Sequence, residues 1–191
     1  FQRALMWMGI GLVVFLVMTV FDYRWLKTLA WPLYLANVGL LVMTLAIGSG
    51  VGGSARWVDV GPFTFQFSEL AKILMIIVLA TYLGNREGRL DSLGAILGAC
   101  LLMAPPVALV MMQPDLGTSL VLVSILAGML FMSGASLRWL LIGALGVIAA
   151  IPIAWTYVLC DYQKDRILSF LNPAADTQGG GWQVLQSQMT V

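Results

Sequence analysis

Charge is scarce in this chain: Asp, Glu, Lys and Arg together make up 10% of its 191 residues, against 60% hydrophobic, and the mean hydropathy is +0.93. A soluble domain usually carries about 25% charged residues. So little charge cannot cover a globular surface, which excludes a water-soluble fold and predicts an integral membrane protein. Histidine is absent altogether. That removes the commonest general base and metal ligand, so any acid–base chemistry falls to carboxylates, and no metal site is expected from side-chain spacing. The only two cysteines, Cys100 and Cys160, lie in or at the end of separate apolar runs. They read as small core residues rather than a disulfide. A net charge of +1 gives no sign of nucleic acid as a partner. No signal-peptide pattern opens the chain, because Phe1-Gln2-Arg3 leads directly into a long apolar run.

What the chain does have is apolar runs. Six are long enough to span a hydrocarbon core, which needs roughly 17–25 helical residues: 4–21, 29–47, 68–84, 93–112, 116–135 and 139–160. The expected fold is all-α, a polytopic membrane helix bundle over residues 1–160, with residues 161–191 as the start of an outer loop. Pro105-Pro106 is expected to kink or break the fourth span, since proline removes a backbone bond and clashes with the preceding turn. The gaps after the first, third and fifth spans hold Arg24, Lys27, Arg86, Arg89 and Arg138, whereas those after the second and fourth hold only Arg56. Lys and Arg in short loops mark the cytoplasmic side. The loop 48–67, the turn 113–115 and the tail are therefore expected outside. A chain that begins outside just before a span, and stops at Met189-Thr190-Val191 without a closing element, is expected to be a fragment of a larger protein.

The charges able to do chemistry collect on that outer side. Glu69 and Lys72 are three residues apart on one helix face and can pair. In one reading Ser68 caps the helix, Glu69 complements its positive end and Lys72 snorkels outward. In the other, an intramembrane carboxylate and ammonium line a polar cavity. Gln113-Pro114-Asp115-Leu116-Gly117-Thr118 opens the fifth span, with Pro114 suited to the first helical position and Asp115 to the positive helix end. Two helix N-termini facing one outer cavity would also favour an anion such as a phosphate. Arg56, beside Trp57, is either an interfacial anchor or a bidentate phosphate ligand. Trp182, Leu185 and Met189 recur at helical spacing in the tail, which fits a short amphipathic helix at the outer surface or folded back into the bundle, or else a loop packed on the bundle top. No nucleotide loop, zinc motif or Ser/His/Asp arrangement is present in the sequence.

Several motifs occur in a fixed order: Gly53-Ser54-Ala55-Arg56-Trp57, Gln66-Phe67-Ser68-Glu69-Leu70-Ala71-Lys72, Gln113-Pro114-Asp115-Leu116-Gly117-Thr118, Asp161-Tyr162-Gln163-Lys164-Asp165-Arg166-Ile167, Phe170-Leu171-Asn172-Pro173, and Gly181-Trp182-Gln183 before Gln186-Ser187. Together they resemble the SEDS family of RodA, FtsW and SpoVE, over nearly the whole chain, with a tail closer to the RodA branch. The resemblance implies a bacterial inner-membrane protein of about ten helices, of which these would be helices two to seven. It implies a peptidoglycan glycosyltransferase that polymerises lipid II into glycan strands for elongation or division, with a class B penicillin-binding protein as partner. It makes Glu69 and Lys72 the intramembrane pair, Asp115 the acid of the turn motif, and Arg56 and Arg166 the basic positions, all candidates for substrate contact or for holding the cavity. The catalytic aspartate it implies lies beyond Val191, so no catalytic residue is expected in this stretch and the fragment alone is expected to be inactive. A divalent cation is left open. Phe67 stands where the family has proline, and Trp182 where it has tyrosine. Two other functions fit the same cavity: a flippase for a lipid-linked precursor, which needs no base, and a non-catalytic scaffold for the partner synthase.

Overall fold

The structure is a computed structural model, and it describes residues 2–48, 56–60, 63–86, 92–159, 163–165 and 167–168. The tail helix expected near 182–189, and Arg166, lie outside the described residues. Among the described residues the main α-helices are, in order, α1 (Gln2–Val20), α2 (Arg24–Ile47), α3 (Phe67–Gly84), α4 (Leu93–Met112), α5 (Leu116–Met132) and α6 (Leu137–Ile153). Between α2 and α3 lies a hairpin that the sequence reading did not foresee. Its strands are β1 (Val58–Val60) and β2 (Phe63–Phe65), paired antiparallel with Val58 opposite Phe65 and Val60 opposite Phe63.

The core is the four-helix group α2–α5. Leu41 of α2, Ala71, Met75 and Leu79 of α3, Ala99 and Met103 of α4, and Leu122 of α5 are fully or almost fully buried against one another. α3 is central and packs on α2, α4 and α5. α1 and α6 flank this group with their apolar surface outward: every side chain from Ala4 to Val20 and from Leu141 to Ile153 is exposed. An outward apolar face is untenable in water and suits hydrocarbon, where only helices with internally satisfied backbones persist. Among the described residues, four helical segments, Arg24–Ile47, Phe67–Gly84, Leu93–Met112 and Leu137–Tyr157, are long and apolar enough to cross a membrane, and α1 and α5 are shorter apolar helices.

Helix ends explain where the elements differ from the apolar runs. α2 starts before its run because Asp22 Oδ1 accepts from the Arg24 amide at 2.9 Å, a local turn that starts the helix early. Lys27, read from sequence as a loop residue, therefore sits in the first turn of α2. α5 stops at Met132, short of the run's end. Gly134 takes a left-handed φ of +81°, its amide donates to Phe131 O, and the Ala135 amide donates to Leu130 O. A residue lacking Cβ is what such a cap requires. α4 is not broken by Pro105-Pro106 and is helical from Leu93 to Met112. Each proline removes one donor only, and neighbouring helices hold the remaining ladder in place. α6 ends differently: after Pro152 the chain widens into a π-helical turn over Ala154–Val158, closed by the Leu159 amide on Ala154 O at 2.8 Å.

Candidate functional site

The hairpin register determines what meets at the end of the bundle. Val58 pairs with Phe65, so Gln66 follows directly after the pair on one strand and Arg56 lies two residues before it on the other, both at the hairpin base. Both reach the turn between α4 and α5. Arg56 Nε donates to Gln113 O at 3.1 Å, and the same guanidinium donates through an Nη to Pro114 O. Gln66 Nε2 donates to Asp115 Oδ2 at 3.2 Å. The hairpin thus grips residues 113–115 with two prongs.

The turn itself is suited to be held. α4 ends with unpaired carbonyls and a partial negative charge, and an arginine fork is the side chain best shaped to satisfy both. α5 begins with unpaired amides and a partial positive charge. Asp115 is its N-cap: Oδ1 accepts from the Thr118 amide at 3.2 Å and Oδ2 from the Thr118 hydroxyl at 2.8 Å, while Ser119 Oγ donates back to Asp115 O at 2.8 Å. Pro114 lies one residue before the N-cap rather than at the first helical position expected for it. Arg56 and Asp115 are brought to the same turn, but Arg56 bonds carbonyls and not the Asp115 carboxylate.

Gln66 has a second role as the N-cap residue of α3. The expectation that Ser68 caps α3 is therefore corrected. The helix begins one residue earlier, at Phe67, which leaves Ser68 inside the first turn, buried and with its Oγ unpartnered. Phe67 occupies the first helical position, where a proline is also well tolerated, so its replacement of the family's proline is compatible with the helix start. One turn further on, Lys72 Nζ meets Glu69 Oε2 at 2.7 Å. The two side chains differ in setting, Lys72 being 24% exposed and Glu69 57%. The ammonium is the more enclosed partner and Glu69 is its only ion-pair partner among the described residues. An ammonium has three donors, so one bond to Glu69 leaves capacity toward a ligand.

Two glutamines complete the arrangement; each opens a motif seen in the sequence, but neither was assigned a site role there. Gln66 and Gln113 carry no charge, and only tertiary structure shows that they bridge elements. Gln113 is 1% exposed, and its Nε2 donates to Leu41 O of α2 at 3.1 Å. Among the described residues, no three His, Cys, Asp or Glu side chains form a group that would hold a metal ion. The Asp115 oxygens are engaged by Thr118 and Gln66, and Glu69 by Lys72. These carboxylates do not fit a divalent ion as they stand.

The whole chain, residues 1–191, matches the FtsW/RodA/SpoVE family, described as cell cycle proteins. It is 35% identical over 190 residues to the peptidoglycan glycosyltransferase MrdB of Escherichia coli, covering 100% of this chain and 51% of that protein. It is 33% identical over 184 residues to a probable peptidoglycan glycosyltransferase FtsW of Pseudoalteromonas translucida, covering 95% of this chain and 46% of that protein. A solved peptidoglycan synthase complex that coordinates polymerization and crosslinking contains a chain that matches with a TM-score of 0.75 and 36% identity, over 94% of this chain and 53% of the other. The rod shape determining protein RodA of Thermus thermophilus matches with a TM-score of 0.63 and 34% identity, over 74% of this chain and 46% of that one. The chain spans about half the length of the curated relatives it matches. With a family match along its full length and relatives above 30% identity, the chain belongs to the FtsW/RodA/SpoVE family.

Proposed function

We propose that the full-length protein is a peptidoglycan glycosyltransferase that polymerises lipid II, and that the bundle end described above forms one wall of its substrate site. The observation that carries this reading is the clustering of Arg56, Gln66, Gln113 and Asp115 in one bonded network, on the helix end that also bears the Glu69–Lys72 pair. The names of the relatives supply the reaction class.

Glycosyl transfer from lipid II needs a base for the acceptor sugar hydroxyl and cations for the departing pyrophosphate. Lys72 is the cation we assign to the pyrophosphate, with Glu69 orienting it. Arg56, whose guanidinium is engaged by the carbonyls of Gln113 and Pro114, holds the wall rather than the phosphates. Asp115 acts as a cap and a hairpin anchor, with both oxygens engaged as acceptors, and is not the base. Arg166 is retained as a second cation toward the pyrophosphate on the motif resemblance alone. The base is placed in the outer loop beyond Val191, as the resemblance implies. The same reading places the protein in the bacterial inner membrane beside a class B penicillin-binding protein. The solved complex similar to this chain couples polymerization with crosslinking, which supports such a partner.

The test is purified full-length protein with its partner synthase and labelled lipid II. Glycan chains that persist when the partner's crosslinking site is blocked, and vanish on replacing the loop aspartate, support the polymerase. Labelled lipid crossing a vesicle bilayer without glycan would favour a flippase, and neither activity would favour a scaffold.

A further inference from the structure

Gln113 makes a contact that neither the hairpin grip nor the proposed pyrophosphate site requires. Leu41, its acceptor, lies six residues before the end of α2, which is about 9 Å below that end at the helical rise. The Gln113 amide therefore reaches down from the turn into the α2 ladder, into a fully buried position. Leu41 O there takes a second donor beyond its own helix. At the same residue the backbone carbonyl accepts from Arg56. One residue thus joins the hairpin, the α4–α5 turn and α2, and Asp115 follows two positions later. The Oε1 of Gln113 has no partner and is buried, as is Ser68 Oγ in the first turn of α3. A buried amide with an unpaired acceptor costs stability. A leucine or methionine would fill the space without that cost, so packing alone does not account for a glutamine here.

We infer that Gln113 is a positioning residue for the transfer reaction: its Nε2–H···O bond to Leu41 sets the depth at which the α4–α5 turn, and with it Asp115 and the hairpin, sits above the Glu69–Lys72 pair. It touches no reacting atom and acts through the turn. The inference rests on the polymerase reading for its catalytic consequence, but its structural part can be measured separately.

The experiment compares Gln113→Met, which keeps length and loses the amide, with Gln113→Asn, whose amide is one methylene too short to reach Leu41, in the full-length protein. Both are expected to lower the kcat of lipid II polymerisation roughly tenfold or more, because small misplacements of a positioned group are costly, with KM within about twofold. Amide hydrogen exchange should rise at residues 115–119 and stay unchanged in the middle of α3. Variants with wild-type kcat, a rise in KM alone, or exchange that rises uniformly through the bundle would each overturn the assignment. A wild-type protein that makes no glycan, while the variants still loosen residues 115–119, would sink the polymerase reading and leave the brace standing.

Discussion

Arg56 and Lys72 are two cations at one end of the bundle with different partners. The Arg56 fork satisfies the carbonyls of Gln113 and Pro114, bonds in which a charged donor roughly doubles the usual strength. Arg56→Ala should therefore destabilise the solubilised protein by about 1–3 kcal/mol, read as a lowered Tm. Arg56→Lys should recover only part of this, because an ammonium is a point charge and cannot present a planar fork. Lys72 is the half-buried member of an ion pair, whereas Lys27 is an exposed first-turn residue of α2. In growth complementation, Lys72→Ala should abolish or severely reduce function and Lys27→Ala should be close to wild type. Equal effects would remove Lys72 from the site. Pairing of Glu69 with Lys72 was legible in the sequence, because three-residue spacing on a helix fixes the geometry locally. The partners of Arg56 were not, because they lie 57 and 58 residues away and are backbone atoms, which no motif encodes.

At the scale of elements, the hairpin and the helix ends decide the shape of the site. The apolar runs located α3 and α4 within a residue, since both are bounded by clear polar residues. The hairpin was hidden because strands of three residues are too short to show alternation. The early start of α2 and the early end of α5 were hidden because the Asp22 side-chain turn and the left-handed Gly134 are local backbone features that hydropathy does not report. Gly134→Val should cost about 1 kcal/mol or more through its positive φ, read as a lowered Tm with activity retained. On the opposite end of the bundle, a Cβ on Gly98 would come within 1.8 Å of Tyr82 Oη. That ring cannot swing away freely, since its hydroxyl donates to Ala95 O at 3.1 Å and the Arg86 guanidinium lies 3.8 Å from its centroid. Gly98→Ala should destabilise by about 1–3 kcal/mol, the usual cost of overpacking. Adding Tyr82→Ala to it should restore much of the loss if that contact is the cause.

For the whole molecule, hydropathy alone identified a membrane bundle, because a chain with this little charge has no other way to cover its surface. It did not show which helices are central. α3 carries charge at its start and still sits in the middle, while α1, a purely apolar run from Ala4 to Val20, lies at the edge with its side chains exposed. In a bilayer, apolarity does not drive one helix against another, so centrality follows from shape and polar contacts. The polar contacts between elements here include the hairpin grip, the Gln113–Leu41 bond and the Tyr82–Ala95 bond. The most direct test of the grip's proposed role is the rate of lipid II polymerisation by full-length protein, comparing wild type with an Arg56→Ala, Gln66→Ala double variant that cuts both prongs while leaving Lys72 intact. The account predicts glycan strands from wild type and at least a roughly tenfold slower rate from the variant, with the protein still folded. Wild-type polymerisation rates from the double variant would contradict it.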